Sequence, residues 1–182
     1  MKVRYQFKVA ETEDEFEQIF RLNHATFAGE LEQYPTLASE RLVDKFHEKN
    51  AYLIALADGK VIGMLSMHSQ SPFSVAGKLA DPSILDPYGR LSEIRLLAVE
   101  PAHRHGEVMA GLILAGFEYV RSHDALVISA HVDKLRLYRG LGFTELGPPV
   151  QSGQAMYVPM VVRVADFAGR MARWKRRLAM AS

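Results

Sequence analysis

Residues 92–106 read Ser-Glu-Ile-Arg-Leu-Leu-Ala-Val-Glu-Pro-Ala-His-Arg-His-Gly. The run 92–100 is dominated by apolar residues, several of them branched, and predicts a strand that Pro101 ends. A helix follows over about 103–122, with Val108, Leu112, Ala115 and Tyr119 on one stripe. The first turn of a helix exposes unpaired N–H groups and the positive end of the dipole. His103, Arg104 and His105 add positive charge there, which the helix alone disfavours. An anion such as phosphate resolves that conflict, and Gly106 lets a ligand approach the backbone closely. The competing reading is a solvated basic turn with no ligand.

Outward from this stretch the chain alternates strands and helices. Residues 3–9 predict a strand, and Thr12-Glu-Asp-Glu15 is a capping-box pattern for a helix reaching about Phe27. Leu42, Val43 and Phe46 suggest a second short helix over 38–48. Strands are expected over 51–57 and 60–68, joined by the Asp58-Gly59 hairpin signal. The connection 70–90, with Pro72, Gly77, Pro82, Pro87 and Gly89, is long enough to expect a functional or mobile loop. A buried-type strand at 125–131, a short helix capped by Asp133 and broken by Gly142, extended runs at 143–147 and 155–164, and a helix over 165–180 complete the order. Pro159 limits the pairing of the last strand. This is a mixed α/β domain.

The 182 residues are 48% hydrophobic and 24% charged, an ordinary globular balance. The absence of cysteine excludes disulfide scaffolds, thiolate zinc sites and cysteine nucleophiles. The first twenty residues carry acids and no long apolar run, so neither a secretory signal nor a membrane span is expected, and a cytoplasmic location is. The net charge of +1 is unevenly spread: residues 165–182 carry +4 and residues 1–164 carry −3. An acidic body argues against a nucleic-acid binder. The seven histidines show no metal-ligand spacing beyond His103-x-His105, so no metal is expected.

Two segments together carry a family resemblance. Leu97-Ala98-Val99-Glu100-Pro101-Ala102-His103-Arg104 resembles the strand and loop that open the acyl-coenzyme A site of GNAT acyltransferases. Leu137-Tyr138-Arg139-Gly140-Leu141-Gly142-Phe143 resembles that family's Tyr-x-x-x-Gly-Phe segment. With the strand order, the likeness covers most of residues 3–164. It implies the GNAT acyl-CoA N-acyltransferase fold, a mixed sheet that splays between its fourth and fifth strands around the donor's pantetheine arm. It also implies that the Leu97, Ala98 and Val99 strand pairs with that arm. Arg104, His105, Gly106, Glu107, Val108, Met109 and Ala110 would then cradle the pyrophosphate. The family's loop usually holds two glycines; here Glu107 and Met109 stand in their places. A second resemblance, to acyl-homoserine-lactone synthases and N-acyl amino acid synthases, rests on Arg21, Phe27, Asp44, Phe46, Gly63 and Glu93-x-Arg95. Members of that GNAT-fold branch often lack the glycine loop, and many take the acyl chain from an acyl carrier protein.

Each role has a plainer competitor. Glu93, if it faces the cleft, deprotonates the amine; otherwise it pairs with Arg95 or another base. Tyr138 stands where the family has a general acid for the departing thiolate; otherwise it is a core aromatic. His131 stands where many members have an asparagine that touches the pantetheine arm; otherwise it is a solvated strand end. Arg21, Phe27, Asp44 and Arg95 are candidates for the acceptor side; Arg21, Asp44 and Arg95 form either a polar network that holds the loop over that side or a structural salt-bridge set. The tail places Phe167, Met171, Trp174 and Leu178 at helical spacing, which predicts a docked helix with its arginines in water. A membrane-surface helix or a dock for an acidic carrier protein is the alternative.

The reading is one GNAT-like domain over 1–164 with an appended amphipathic helix at 165–182. It is an N-acyltransferase moving an acyl group from a thioester, most simply acetyl-CoA, to the amine of a small molecule. The alternatives are a long-chain N-acyl synthase fed by acyl carrier protein and a ligand-binding module without turnover.

Overall fold

The computed structural model describes residues 3–104 and 106–181, with residues 174–181 as backbone alone. Eight strands form a mixed sheet in the order β1-β2-β3-β4-β5-β8-β6, with β7 also on β8. The chain divides into two compact units, Met1–Met67 with Leu96–Gly116, and His68–Arg95 with Phe117–Ser182.

In the first unit, β1 (Tyr5–Val9) pairs antiparallel with β2 (Ala51–Ala57), and β2 with β3 (Lys60–His68). The expected hairpin turn is present, with Asp58 and Gly59 both at positive φ. α1 (Glu13–Asn23) begins at the predicted capping box. The Thr12 hydroxyl accepts from the Glu15 N–H at 3.2 Å, and the Glu15 carboxylate accepts from the N–H groups of Thr12 (3.1 Å) and Glu11 (2.8 Å). Lys8 adds a charged donor at 2.8 Å.

The Glu11 N–H and the Lys8 ammonium hold the Glu15 pKa down at about 2. The unfolded chain therefore binds the proton more readily than the fold does. The stability this carboxylate supplies is full above about pH 4.5 and is lost as the pH falls toward 2. Glu15→Gln is expected to destabilise the protein at pH 7, with the gap to wild type narrowing below pH 4.5 in urea unfolding. A gap that stays constant over that range would show that the charge of Glu15 is not what stabilises the helix start.

Beyond Asn23 the helix continues past Phe27 as a π-helical run, His24–Glu30. The helix expected over 38–48 does not form. Leu42 and Asp44 are buried while Val43 is 45% exposed, the alternation of extended chain, and only His47–Lys49 closes a 3₁₀ turn. After β4 (Leu91–Val99), Pro101–His103 forms another 3₁₀ turn, so α2 (Glu107–Tyr119) starts later than the sequence suggests. Val108 and Leu112 of the expected stripe are buried, whereas Tyr119 is exposed. Gly63 of β3 lies under α2: a Cβ there would meet Val108 at 3.0 Å and Leu112 at 3.1 Å. A packing reason thus stands behind a residue first noticed through a resemblance. The core of this unit gathers Ile19, Phe20, Phe27, Tyr52, Ile54 and Met64.

In the second unit, the parallel ladder of β4 with β5 (Ala125–His131) runs from Leu91↔Ala125 to Ile94↔Ile128, and β4 continues past it to Val99. β8 (Ala155–Arg163) pairs with the whole of β5. Its other edge takes β6, reduced to Thr144–Glu145, and β7 (Val150–Ser152). Pro159 does not end β8's pairing. Its carbonyl accepts the Leu146 N–H at 2.8 Å, and a residue's N–H and C=O share an edge. The missing donor therefore faces the gap between β6 and β7.

The long 70–90 connection is built into the unit. It winds through 3₁₀ turns at Ala76–Lys78 and Pro82–Tyr88, and Val75 and Leu85 are buried against Ala125, Val127 and Val161. α3 (Leu135–Leu141) is preceded by a turn that the His131 ring caps, accepting from the Asp133 N–H, so Asp133 is not the cap. Gly142 ends α3 in the left-handed region at φ 99°, a conformation that favours glycine. α4 (Val164–Ala181) docks its first half: Phe167 and Met171 are buried, and the Phe167 ring meets Phe117 at 5.8 Å and Phe143 at 6.2 Å. Arg170 is not simply in water, since it donates to the Gly140 carbonyl at the end of α3. The Trp174 and Leu178 side chains lie outside the described residues. Among the described residues, no helix is long and apolar enough to cross a membrane.

Candidate active site

The residues expected to meet an acyl donor fall in both units. In the first, β4 delivers a half-buried Leu97 and buried Ala98 and Val99. The Val99 carbonyl is occupied by the Arg104 Nε–H at 2.8 Å. The same guanidinium forms a two-pronged pair with Glu30, both contacts at 2.6 Å. Fork-to-carboxylate geometry is the strong form of an ion pair, and the Glu30 hydrogen bond raises the Arg104 pKa above its ordinary value. His103 faces Tyr5, with Nδ1 3.1 Å from the hydroxyl, rather than the helix start. Gly106 and Glu107 are exposed and Met109 is half-buried. Val108 and Ala110 are buried, so these two have only backbone N–H groups to offer a ligand. His105 lies outside the described residues.

The acceptor-side candidates divide. Arg21 pairs along α1 with Glu17 at 2.9 Å and is largely exposed, so it takes no part in the polar network expected of it. Phe27 is a core residue, its ring packed in the cluster with Phe20 and Tyr52. Asp44 is buried and organises its own loop, accepting from the Phe46 N–H at 3.3 Å and from Asn50 Nδ2 at 3.0 Å.

The second unit holds the densest polar cluster. Glu93, fully buried in β4, has both oxygens committed. Oε1 accepts from the Ser74 hydroxyl (2.7 Å) and the Val75 N–H (2.8 Å). Oε2 accepts from the Ser74 N–H (2.7 Å) and lies 3.1 Å from His68 Nε2. The other ring nitrogen of His68 lies 3.0 Å from the Gln70 carbonyl oxygen, and Phe73 stacks on the ring. Arg95 donates to the Ser74 hydroxyl, so it reaches Glu93 through Ser74. Burial, the largest influence, pushes the Glu93 pKa up. The hydrogen bonds from His68 and Ser74 and the charge of Arg95 outweigh it and hold the group below the ordinary carboxylate range. A carboxylate with four donors and a lowered pKa is a poor proton acceptor. The arrangement therefore disfavours the base role expected of Glu93 and makes it the anchor of the 68–75 segment. His68 and Ser74 were not singled out from the sequence. They stand 25 and 19 residues before Glu93, and no local pattern links them to it.

Tyr138 is half-buried on α3, its ring edge-on to Phe143 at 5.8 Å. Burial pushes its hydroxyl pKa up to about 12, so it stays a neutral donor at physiological pH. His131, at the end of β5, sets its ring against Tyr157 at 5.7 Å. Its Nδ1 accepts from the Asp133 N–H, which leaves the proton of the neutral ring on Nε2. Among the described residues, no three His, Asp or Glu side chains converge as metal ligands.

Comparison with known proteins places this arrangement. The chain superposes on the CoA-dependent acyl-homoserine lactone synthase BjaI, solved with SAM and isopentyl-CoA. The TM-score is 0.75 at 21% identity, covering 100% of this chain and 92% of that one. FeeM, an N-acyl amino acid synthase from uncultured soil microbes, gives 0.75 at 16% identity over 96% and 98% of the two chains. An acyl-CoA N-acyltransferase from Pseudomonas aeruginosa gives 0.61 at 15% over 88% and 99%. These likenesses establish the GNAT acyl-CoA N-acyltransferase fold. No curated protein sequence gives a significant match. The sequence model of the N-acyl amino acid synthase FeeM matches residues 18–166, a span that takes in the π-helical run, the Glu93 anchor, the Arg104 turn and Tyr138. The chain is therefore an N-acyltransferase and belongs to the FeeM N-acyl amino acid synthase family.

Proposed function

We propose that this enzyme transfers an acyl group longer than acetyl from a coenzyme A thioester to the α-amine of an amino acid. The observation that carries the reading is the Glu93–Ser74–Arg95 hydrogen-bond chain, anchored on the buried Glu93, inside the matched span. It fixes a guanidinium whose fork suits the carboxylate of an amino acid acceptor. The family's description supports the acceptor class, and the isopentyl-CoA bound by BjaI supports the donor.

In this reading the acceptor nitrogen attacks the thioester carbonyl carbon, and the carbon–sulfur bond breaks. Backbone N–H groups near Val99 stabilise the oxyanion, and solvent takes the proton of the amine. Tyr138 donates a hydrogen bond to the departing sulfur, which leaves as the thiolate and takes its proton from solvent. Glu93 is a positioning residue: it holds Ser74, and Ser74 holds Arg95. Acylation by positioning needs no dedicated strong base when the reacting atoms are well aligned.

The test offers acetyl-CoA, isopentyl-CoA, a ten-carbon acyl-CoA and a ten-carbon acyl carrier protein against each amino acid and a set of other small amines, following thiol release and product mass. An N-acyl amino acid from the longer donors, with little from acetyl-CoA, is expected. Turnover of acetyl-CoA alone would overturn the chain-length assignment. Product only from acyl carrier protein would overturn the coenzyme A donor, and product on a non-amino-acid amine the acceptor.

A further inference from the structure

The guanidinium at the mouth of the expected phosphate loop is already engaged. Arg104 spends Nε–H on the Val99 carbonyl and both terminal nitrogens on Glu30. The Glu30 carboxylate presents to Arg104 what a phosphate would present: two oxygens in the plane of the fork. Both side chains are partly exposed, at 38% and 43%, so a dissolved anion can reach the pair.

Glu30 also has another place to go. It lines a cavity of about 540 Å³ that Arg21 and Lys60 line as well, over an apolar floor of Leu22, Val61 and Pro101. Arg21 pairs with Glu17 and Lys60 with Glu100 through one contact each, and both cations are more exposed than their partners, so each keeps N–H donors that a second carboxylate can use. Two arrangements are therefore within reach of one side chain, which is the requirement for a switch with discrete states.

Glu30 is the last residue of the π-helical run, and its movement has consequences along the chain. Immediately after it, the Leu31 N–H donates to the Thr26 carbonyl, and the Gln33 and Tyr34 N–H groups donate to the Phe27 carbonyl. Leu37 donates its N–H to His24 Nε2 at 3.0 Å. Segment 24–37 is thus folded back on itself, and Glu30 ties its middle to Arg104. π-Helical turns are marginal structures that recur at functional positions.

We infer that the Glu30–Arg104 pair is a latch, closed in the free enzyme and opened by the phosphates of the acyl donor. The donor's phosphate takes the guanidinium, the Val99 carbonyl is released, and Glu30 turns into its cavity toward Arg21 and Lys60. Segment 24–37 loosens as it does so, and donor binding is thereby coupled to the helix end that follows α1. This inference rests on the coenzyme A reading above.

The experiment compares wild type with Glu30→Gln. Coenzyme A and inorganic pyrophosphate are titrated separately by calorimetry, and amide hydrogen exchange is followed across 24–37 with and without coenzyme A. Gln keeps the size of the side chain and removes the charge. An exposed ion pair contributes up to about 1 kcal/mol, so Glu30→Gln is expected to bind both anions up to about fivefold tighter. Exchange in 31–37 should rise in wild type when coenzyme A is added, and should already be raised in the free variant. Equal or weaker anion binding by Glu30→Gln, with wild type binding normally, would overturn the latch and leave the donor reading intact. Binding of neither anion to either chain would overturn the coenzyme A reading and the latch with it. If Glu30→Gln does not fold, Glu30→Asp, which is one methylene too short for the two-pronged contact, is expected to move both readouts the same way.

Discussion

Glu93→Gln is expected to cost the protein about 3–5 kcal/mol, the usual penalty for removing one partner of a buried charged pair. Four donors converge on this carboxylate from His68, Ser74 and Val75. An amide offers one oxygen and one NH₂ group in its place. The NH₂ group faces N–H and O–H donors, so two of them lose their acceptor around a fully buried side chain. For a chain of this length the loss corresponds to a fall of roughly 10 °C or more in melting temperature. Calorimetric or urea unfolding checks it. A loss below about 1 kcal/mol would show that the cluster is not the anchor described. The pH dependence has a definite sign. The folded pKa lies below the ordinary carboxylate value, so the contribution is complete above that value and disappears as the pH falls through the folded one. Glu93→Asp keeps the charge but withdraws it by one methylene, and a smaller loss is expected.

Tyr138→Phe is expected to lower kcat about 100-fold or more while leaving KM and the melting temperature nearly unchanged. The ring is retained, and with it the edge contact to Phe143, so stability is not the readout. Only the hydroxyl is lost. With its pKa near 12, the phenol is well matched to remain protonated and poorly matched to surrender its proton fully to a thiolate, for which thiol pKa values near ~8.5 are ordinary. In the proposed reaction its work is therefore hydrogen-bond donation to the sulfur as charge develops. Activity should show no basic limb from this group below about pH 11. A kcat within threefold of wild type would remove Tyr138 from the reaction and leave it a core aromatic.

The legible part of this protein is local. Thr12 and Glu15 announced the helix start because a capping box is built from residues three apart. Asp58-Gly59 announced its hairpin for the same kind of reason. The strand, turn and helix around Arg104 were readable in outline, although Pro101 spends the first residues on a 3₁₀ turn and delays the helix. The segment around Leu42 misled because Leu42, Val43 and Phe46 stand at i, i+1 and i+4, a helical spacing, whereas the fold buries Leu42 with Asp44 and leaves Val43 outside. The Glu93 cluster was illegible for a different reason. Its members belong to the end of one strand, a loop and the next strand, and only tertiary structure joins them. Arg21 and Phe27 show the reverse: residues that a family pattern singles out, yet that are held here by an ordinary helical ion pair and by the core.

The way the 68–95 stretch is built bears on remodelling this enzyme for new acceptors. Long surface connections are the usual first choice for exchange between relatives, because they tolerate replacement. Residues 69–90 look like such a segment in sequence. Yet Val75 and Leu85 fill the core, and Ser74 and Val75 supply three of the four donors to Glu93. A chimaera that imports this stretch without a matching serine and apolar pair would arrive with a stranded carboxylate and a hole beneath it. The exchangeable unit is the loop together with the strand ends that bear His68, Glu93 and Arg95, and the stretch is best transplanted as that whole block.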